Sequence, residues 1–270
     1  MNVLIITDAL TAPLYTSRVR FLNRQLLAEG HSVVWYTERS EVIPEDVRPS
    51  NLVEIPYYGK HDHLLKGILS VLFDMKSRLL LRNIDPPFHP EIIFCSTFHT
   101  FGLHASCRLA ERYKCPLHID LRDIAEQTPT NAYSRSFLSH NSFYRNISIR
   151  RRNATLRKAT IVTSVSKFHR DFLSAINPNS HVIYNGYDAN LFYPPKEKPI
   201  NNPIIIIYTG RWYGEDLENP IYLFRALSHH HEIKLVFYTA TNVHDKLRRL
   251  AKLYDVNIDI QYDEEHSGSE

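Results

Sequence analysis

Charged and polar side chains follow two apolar runs that have the length of buried strands. Ser96–Thr100, read as STFHT, contains His99, and Asp120–Asp123, read as DLRD, places two carboxylates around Arg122. Imidazole, carboxylate and guanidinium groups can move protons or stabilise charge, so His99, Arg122 and Asp123 are the candidate catalytic residues. The alternatives are a partly buried histidine with satisfied hydrogen bonds, and an ion pair or helix cap formed by Arg122 and Asp123.

The elements that would position these side chains alternate between strand and helix. Val3–Ile6 and Val33–Tyr36 are strand-length runs, and Val19, Leu22 and Leu26 recur between them at helical spacing. Further strands are predicted at Leu52–Ile55, Glu91–Cys95, Pro116–Leu121, Ile161–Thr163 and His181–Tyr184. Right-handed crossovers make such strands parallel. The predicted fold class is therefore α/β with a doubly wound parallel sheet, whose ligands bind beyond the carboxyl ends of the strands.

The stretch Ile161–Pro195 passes from strand to helix to strand and then leaves the first domain. Ser166 is a typical N-cap residue, and Asn185-Gly186 follows the second strand as a turn that favours glycine. The apolar run Ile204–Thr209 then starts a second α/β unit with a strand predicted to be buried. We predict a first domain at 1–190, a linker at 191–202 and a partial second domain at 203–270.

Within Ile161–Pro195 a serine is followed by a predicted helix, a predicted strand, the sequence NGYD and two prolines. This order resembles the interdomain segment of retaining glycosyltransferases with the GT-B fold, in the group 1 (GT4-like) family. The run IIIIYTGRW at Ile204–Trp212 resembles the first strand and turn of that family's donor domain. The resemblance implies a GT-B-like fold with an acceptor-side Rossmann-like domain and part of a donor domain. It also implies sugar transfer from a nucleotide sugar to a glycan or lipid-linked acceptor, in surface polysaccharide synthesis.

The resemblance also assigns donor-binding residues. Arg211 matches the family's phosphate-binding arginine, and Gly210, Asn185, Gly186 and Asp188 complete the implied set. Negative charge grows on the departing diphosphate, so a fixed guanidinium that holds two phosphate oxygens stabilises the transition state. No metal or other cofactor is required if Arg211 and helix N-termini carry the phosphate charge.

The sequence departs from the family's pattern in three places. Thr7–Thr16 contains no glycine, no lysine closely follows Arg211, and no pair of glutamates eight positions apart lies beyond it. The first departure also makes a dinucleotide-binding dehydrogenase a poor interpretation. We interpret the chain as a transferase truncated within its donor domain, with weak donor binding and slow or absent turnover. The alternative is a non-catalytic acceptor-binding or scaffold subunit that associates with another transferase.

Two basic segments suggest further partners. His63–Arg82 is predicted as an amphipathic helix that docks on the inner membrane face, and the basic residues along or beside it are Lys60, Lys66, Lys76, Arg78 and Arg82. The alternative is a core-facing helix with a solvated outer face. Ser134–Lys158 is predicted as one long helix or two, and the arginines near its end are the main basis for a nucleic-acid hypothesis. A solvated or phosphate-facing surface is favoured there, so no nucleic-acid partner is predicted.

Length, composition and cysteine spacing restrict the class of protein and the kinds of site that the chain can contain. The 270 residues are 43% hydrophobic with a net charge of +3, which fits one large domain or one and a half. Met1–Ile6 leads directly into a strand without a signal-peptide pattern, so a cytoplasmic location is expected. Three cysteines without CxxC spacing favour neither disulfides nor zinc. His229–His231 are adjacent and point in different directions, so no metal site is predicted.

Overall fold

The structure is a computed structural model. The chain folds into two compact units, Met1–Asp188 and Ala189–Glu270. The structure describes residues 1–7, 17–38, 49–55, 68, 72–97, 102–124, 142–186, 203–209, 218–239 and 243–261.

The first unit is built on a parallel sheet that has seven strands among the described residues. They are β1 (Asn2–Thr7), β2 (Ser32–Glu38), β3 (Leu52–Ile55), β4 (Ile92–Thr97), β5 (Leu117–Leu121), β6 (Ile161–Ser164) and β7 (Ser180–Val182). Their order is β3-β2-β1-β4-β5-β6-β7, and every neighbouring pair is parallel. The order reverses between β1 and β4, as in a doubly wound sheet. The predicted fold class is confirmed.

Helices cover both faces of this sheet. They are α1 (Ser17–Ala28), α2 (Met75–Asn83), α3 (Leu103–Tyr113), α4 (Ser142–Lys158) and α5 (Lys167–Ser174). Successive residues of β1 point to opposite faces, so Ile5 is buried in one cluster with Val19 of α1, and Ile6 in another with Leu103 of α3. A strand covered on both faces is apolar at every position, which is the pattern that the sequence showed.

The segment from β6 to β7 agrees with one prediction and corrects another. Ser166 caps α5, because its Oγ accepts a hydrogen bond from the His169 amide at 3.1 Å. β7, however, is short and lies at the edge of the sheet, and Ile183 and Tyr184 are 49% and 62% exposed. The prediction of a buried strand at His181–Tyr184 was wrong, because an edge strand has one neighbour and less cover.

The helix predicted at His63–Arg82 is interrupted at Asp74. This residue has a φ of 51°, in the left-handed region, and its Oδ1 accepts a hydrogen bond from Ser77 Oγ at 2.9 Å. Aspartate adopts this conformation more readily than most residues, because its side chain bonds locally. α2 begins after it at Met75, so a single continuous helix was the wrong prediction. Residues 56–67 and 69–71, with Lys60 and Lys66, lie outside the described residues.

The basic helix predicted at Ser134–Lys158 is α4 from Ser142 onward, and residues 125–141 lie outside the described range. Arg152 is only 3% exposed, and its Nη2 donates a hydrogen bond to Asn153 Oδ1 at 2.8 Å. Thr155 and Leu156 are buried with it. The prediction of a solvated or phosphate-facing surface was therefore wrong for Arg152, because this side of α4 packs inward.

The second unit contains a smaller parallel sheet. Its described elements are β8 (Ile204–Thr209), α6 (Glu218–Leu227), β9 (Ile233–Tyr238), α7 (His244–Tyr254) and β10 (Asn257–Gln261). The strand order is β10-β9-β8. Its core contains Phe224 of α6, Phe237 of β9 and Leu247 of α7, each 0% exposed.

β8 is less covered than its sequence predicts. Its four isoleucines, Ile204, Ile205, Ile206 and Ile207, are 39–60% exposed on both faces of the strand. Within the described residues β8 pairs only with β9, so it forms an edge. The prediction of a buried strand was wrong for β8, because the helices of this unit cover β9 instead.

Candidate functional site

Buried polar side chains lie at the carboxyl ends of β4, β5 and β6. They are Ser96 and Thr97, Asp120 and Arg122, and Thr163 and Ser164. Strand register places Ser96 beside Asp120, and Asp120 beside Thr163. Because these strands are parallel, their carboxyl ends meet at one edge of the sheet, and ligands of such sheets bind there.

Asp120 is the centre of this layer. Its carboxylate is completely buried, and Oδ2 accepts a hydrogen bond from Ser96 Oγ at 3.0 Å, while Oδ1 accepts one from Thr163 Oγ1 at 2.8 Å. Arg18 Nη2 donates to the same Oδ1 at 2.9 Å. A buried charge is tolerated only when it is paired and hydrogen-bonded, and Asp120 has both kinds of partner.

Arg18 connects this carboxylate to the segment that follows β7. Its Nη1 donates a hydrogen bond to the Ile183 carbonyl at 2.6 Å and lies 3.4 Å from Asn185 Oδ1. Asn185 and Gly186, two of the predicted donor-binding residues, are both exposed. The structure therefore brings Asn185 and Gly186 to the same edge of the sheet as the DLRD cluster.

The two candidate catalytic residues of DLRD have different environments. Arg122 is 8% exposed, and its amide donates a hydrogen bond to the Thr97 carbonyl at 3.1 Å. Asp123 is half-buried. Both follow β5 directly, as the sequence predicts. His99, Gly210, Arg211 and Asp188 lie outside the described residues, so their placement stays a prediction.

His118 extends the Asp120 network along β5. Thr163 gives its hydroxyl hydrogen to Asp120, so it accepts one from His118 Nε2 at 3.0 Å, which places the ring proton on that nitrogen. The ring also packs edge-on against Phe94. Burial lowers the pKa of His118 below 6.5, and Asp120 opposes this shift while Arg18 and His181 add to it. His118 is therefore neutral near physiological pH.

Sequence reasoning did not identify Arg18. A signal for Asp120 was available, because a carboxylate within the apolar strand LHIDL needs a cationic or hydrogen-bonding partner. Nothing in the local sequence of α1 marks Arg18 as that partner, since 102 positions separate the two residues.

The described part of the chain has neither a metal-binding cluster nor a membrane-spanning helix. No group of three or more histidine, cysteine, aspartate or glutamate side chains there could hold a metal ion. No helix among those residues combines the length and the apolar character that crossing a membrane requires.

Fold and site together define an α/β protein with a buried polar cluster at the carboxyl ends of a doubly wound parallel sheet, where ligands of such sheets bind. The sequence model of Glycosyltransferase Family 4 matches residues 16–191, which include α1, the DLRD cluster and Asn185-Gly186. The chain belongs to this family, and the resemblance that the sequence showed is confirmed. No curated protein matches the sequence significantly.

Solved structures share the fold. The lipopolysaccharide outer core galactosyltransferase WaaB has a TM-score of 0.58 at 13% identity, over 97% of this chain and 68% of that chain. HepE of Anabaena in complex with UDP-glucose has a TM-score of 0.55 at 14% identity, over 97% and 69%. A putative UDP-N-acetylglucosamine 2-epimerase from Listeria monocytogenes has a TM-score of 0.52 at 15% identity, over 96% and 69%.

These likenesses establish the GT-B-like fold and nothing more specific. The epimerase shares the fold with the transferases, so the fold does not fix the reaction. The assignment to the glycosyltransferases comes from the family match.

Proposed function

We propose that the chain takes part in retaining transfer of a sugar from a nucleotide-sugar donor to a glycan or lipid-linked acceptor, in surface polysaccharide synthesis. The observation that carries this proposal is the family match, which covers the edge where Arg18 links Asp120 to Asn185. Two relatives support it by name, since one is a lipopolysaccharide galactosyltransferase and the other a complex with UDP-glucose.

The proposed roles follow from how charge moves in the reaction. Negative charge accumulates on the departing nucleotide diphosphate, so a guanidinium at Arg211 would stabilise this end of the donor. Gly210, Asp188, Asn185 and Gly186 complete the proposed donor-binding set. His99, Arg122 and Asp123 would act at the reacting centre, at the carboxyl ends of β4 and β5. The reaction needs no metal ion in this proposal, because guanidinium and helix N-termini supply the positive charge.

Donor binding tests this function directly. The affinities of UDP, GDP and ADP would be measured by calorimetry for the unmodified chain, for Arg211→Ala and for the control Arg249→Ala. Arg249 is an exposed arginine on α7 of the same unit. We expect Arg211→Ala to weaken the best nucleotide about tenfold or more, as loss of a charge-assisted hydrogen bond does. Equal affinity in the two variants, or no binding of any nucleotide, would reject the donor site.

The stereochemical part of the proposal needs a separate measurement. A retaining transferase gives a product with the donor's anomeric configuration, which NMR of the glycoside reports. A product of opposite configuration would contradict a retaining mechanism.

A cytoplasmic location with peripheral contact to the inner membrane face is the second part of the proposal. Phe73 is 53% exposed just before α2, and Arg78 and Arg82 of α2 are also exposed. Exposed apolar and basic side chains are the groups that bind an anionic membrane surface. Vesicles of phosphatidylglycerol and phosphatidylcholine should retain the chain in co-sedimentation. Neutralising Lys60, Lys66, Lys76, Arg78 and Arg82 should abolish retention, whereas neutralising the control pair Arg112 and Lys114, at the end of α3, should not. Unchanged retention in the five-residue variant would reject this surface.

One observation favours a second function, that of a non-catalytic acceptor-binding or scaffold subunit. The exposed isoleucines of β8 form an apolar edge of a kind that natural proteins usually cover. Light scattering of the chain with a candidate transferase would show a heteromer if the scaffold function holds. A chain that stays unassociated yet transfers sugar by itself would contradict it.

A further inference from the structure

Arg18 joins two parts of the first unit that are distant in sequence. One nitrogen of its guanidinium bonds to Asp120, and the other bonds to the Ile183 carbonyl and approaches Asn185 Oδ1. The side chain is 16% exposed, so most of it is enclosed. Arg18 is therefore a bridge between a buried carboxylate on β5 and the segment Ile183–Gly186, which we call the exit segment.

One end of this bridge is rigid. Asp120 lies on an inner strand, is 0% exposed, and is held by hydroxyl groups from the neighbouring strands β4 and β6. Its position cannot change without breaking those hydrogen bonds. A guanidinium bound to Asp120 is thus fixed as well, and its second nitrogen points in a defined direction.

The other end has few contacts of its own. Tyr184 is 62% exposed, and a side chain at Gly186 would meet no atom within 4 Å. The hydrogen bonds that the described residues make to the exit segment are one from the Ile183 amide to the Ser164 carbonyl and those from Arg18. Arg18 therefore supplies most of the hydrogen bonds that the described residues make to this segment.

We propose that Arg18 is a positioning residue that holds Asn185 and Gly186 in the conformation that binds the donor. This inference rests on the proposed function, in which Asn185 and Gly186 contact the nucleotide sugar. Arg18 is assigned a positioning role because its guanidinium is bonded to Asp120 and to the exit segment. Arginine is needed because its planar fork offers parallel donors to two acceptors, whereas a lysine ammonium is a point charge on a flexible stem.

The test separates positioning from simple neutralisation of Asp120. Arg18→Met combined with Asp120→Asn removes the bridge without leaving an unpaired buried charge. Asp120→Asn alone keeps the bond from Arg18 to Ile183. Arg18→Lys keeps a positive charge but lacks the fork. Arg20→Met is the matched control, because it removes another arginine from the same helix.

Hydrogen exchange of the Ile183 amide reports on the exit segment without requiring activity. We expect exchange about tenfold faster or more in the double variant and in Arg18→Lys, as loss of a charge-assisted hydrogen bond implies. Exchange in Asp120→Asn and Arg20→Met should stay near that of the unmodified chain. If Arg18 only neutralises Asp120, the double variant and Arg18→Lys will exchange like the unmodified chain, and the proposal is overturned.

Nucleotide affinity tests whether the positioning by Arg18 matters for donor binding. With UDP as the probe, the double variant should bind about tenfold more weakly than Asp120→Asn, because an apparent dissociation constant rises as the binding-competent fraction falls. Faster exchange with unchanged UDP affinity overturns the link to donor binding. If the unmodified chain does not bind UDP, GDP or ADP, the proposed function fails instead, and the exchange measurement still decides whether Arg18 positions the segment.

Discussion

The guanidinium of Arg18 lies 2.9 Å from the carboxylate of Asp120, although 102 positions separate the two residues. The pair joins the first turn of α1 to the middle of the sheet. Asp120 is fully buried, and Arg18 supplies its only cation among the described ion pairs. The stability of the first unit should therefore depend strongly on both residues.

Removing one member of the Arg18–Asp120 pair should lower the free energy of unfolding more than removing both. Arg18→Met leaves a buried carboxylate with hydroxyl partners only, and we expect a loss of about 3 kcal/mol in the free energy of unfolding. Adding Asp120→Asn should recover part of this loss, because the unpaired charge disappears. Urea unfolding of the two single variants and the double variant gives the coupling energy. Strictly additive losses would show that the pair is not energetically coupled.

His118 should make stability depend on pH. Its pKa in the folded protein is lowered from 6.5, mainly by burial, so the unfolded chain takes up a proton first as the pH falls. The contribution of His118 is therefore fully present above pH 6.5 and is lost as the pH falls through the lower folded pKa. Urea midpoints measured one pH unit above and one below 6.5 should differ less in His118→Gln than in the unmodified chain. An equal difference in both proteins would rule out His118 as the source.

Gly102 should tolerate no side chain. Its φ is 75°, and an added Cβ would lie 2.7 Å from Cγ2 of the buried Ile6. Gly30 offers a matched control, because it has a φ of 78° but nothing within 4 Å of the Cβ position. We expect Gly30→Ala to cost about 1 kcal/mol and Gly102→Ala about 2–4 kcal/mol in unfolding free energy, since the latter adds steric overlap. Similar losses in chemical denaturation would mean that Ile6 moves aside without cost.

The β8 edge should promote self-association. Ile207 is 60% exposed on a strand that carries no charged residue, and such edges template further strand pairing. Ile207→Lys should lower the apparent mass in light scattering at rising concentration, while the free energy of unfolding stays within about 0.5 kcal/mol. Leu253→Lys is the control, because Leu253 is 71% exposed but lies on α7. If both variants reduce association equally, general hydrophobicity rather than the strand edge is responsible.

Periodicity and residue type were sufficient to predict the layout of the first sheet. Leu52–Ile55 is a strand with the predicted bounds, and the runs at Val3–Ile6 and Val33–Tyr36 lie within longer strands. These signals are local, because a strand covered on both faces must be apolar at each position. The same reasoning failed for β8 and for His181–Tyr184, since apolar sequence does not show whether a strand has neighbours and cover.

The sequence by itself determined the α/β class, the order of its elements and the motifs that relate it to the glycosyltransferases. It also placed Arg122, Asp123, Asn185 and Gly186 directly after strands, and therefore at one edge of the sheet. Only the tertiary structure decided that Arg18 pairs with Asp120 and reaches the Ile183 carbonyl. The physical reason is that a buried charge requires a partner, but folding rather than sequence distance decides which cation comes within hydrogen-bonding range.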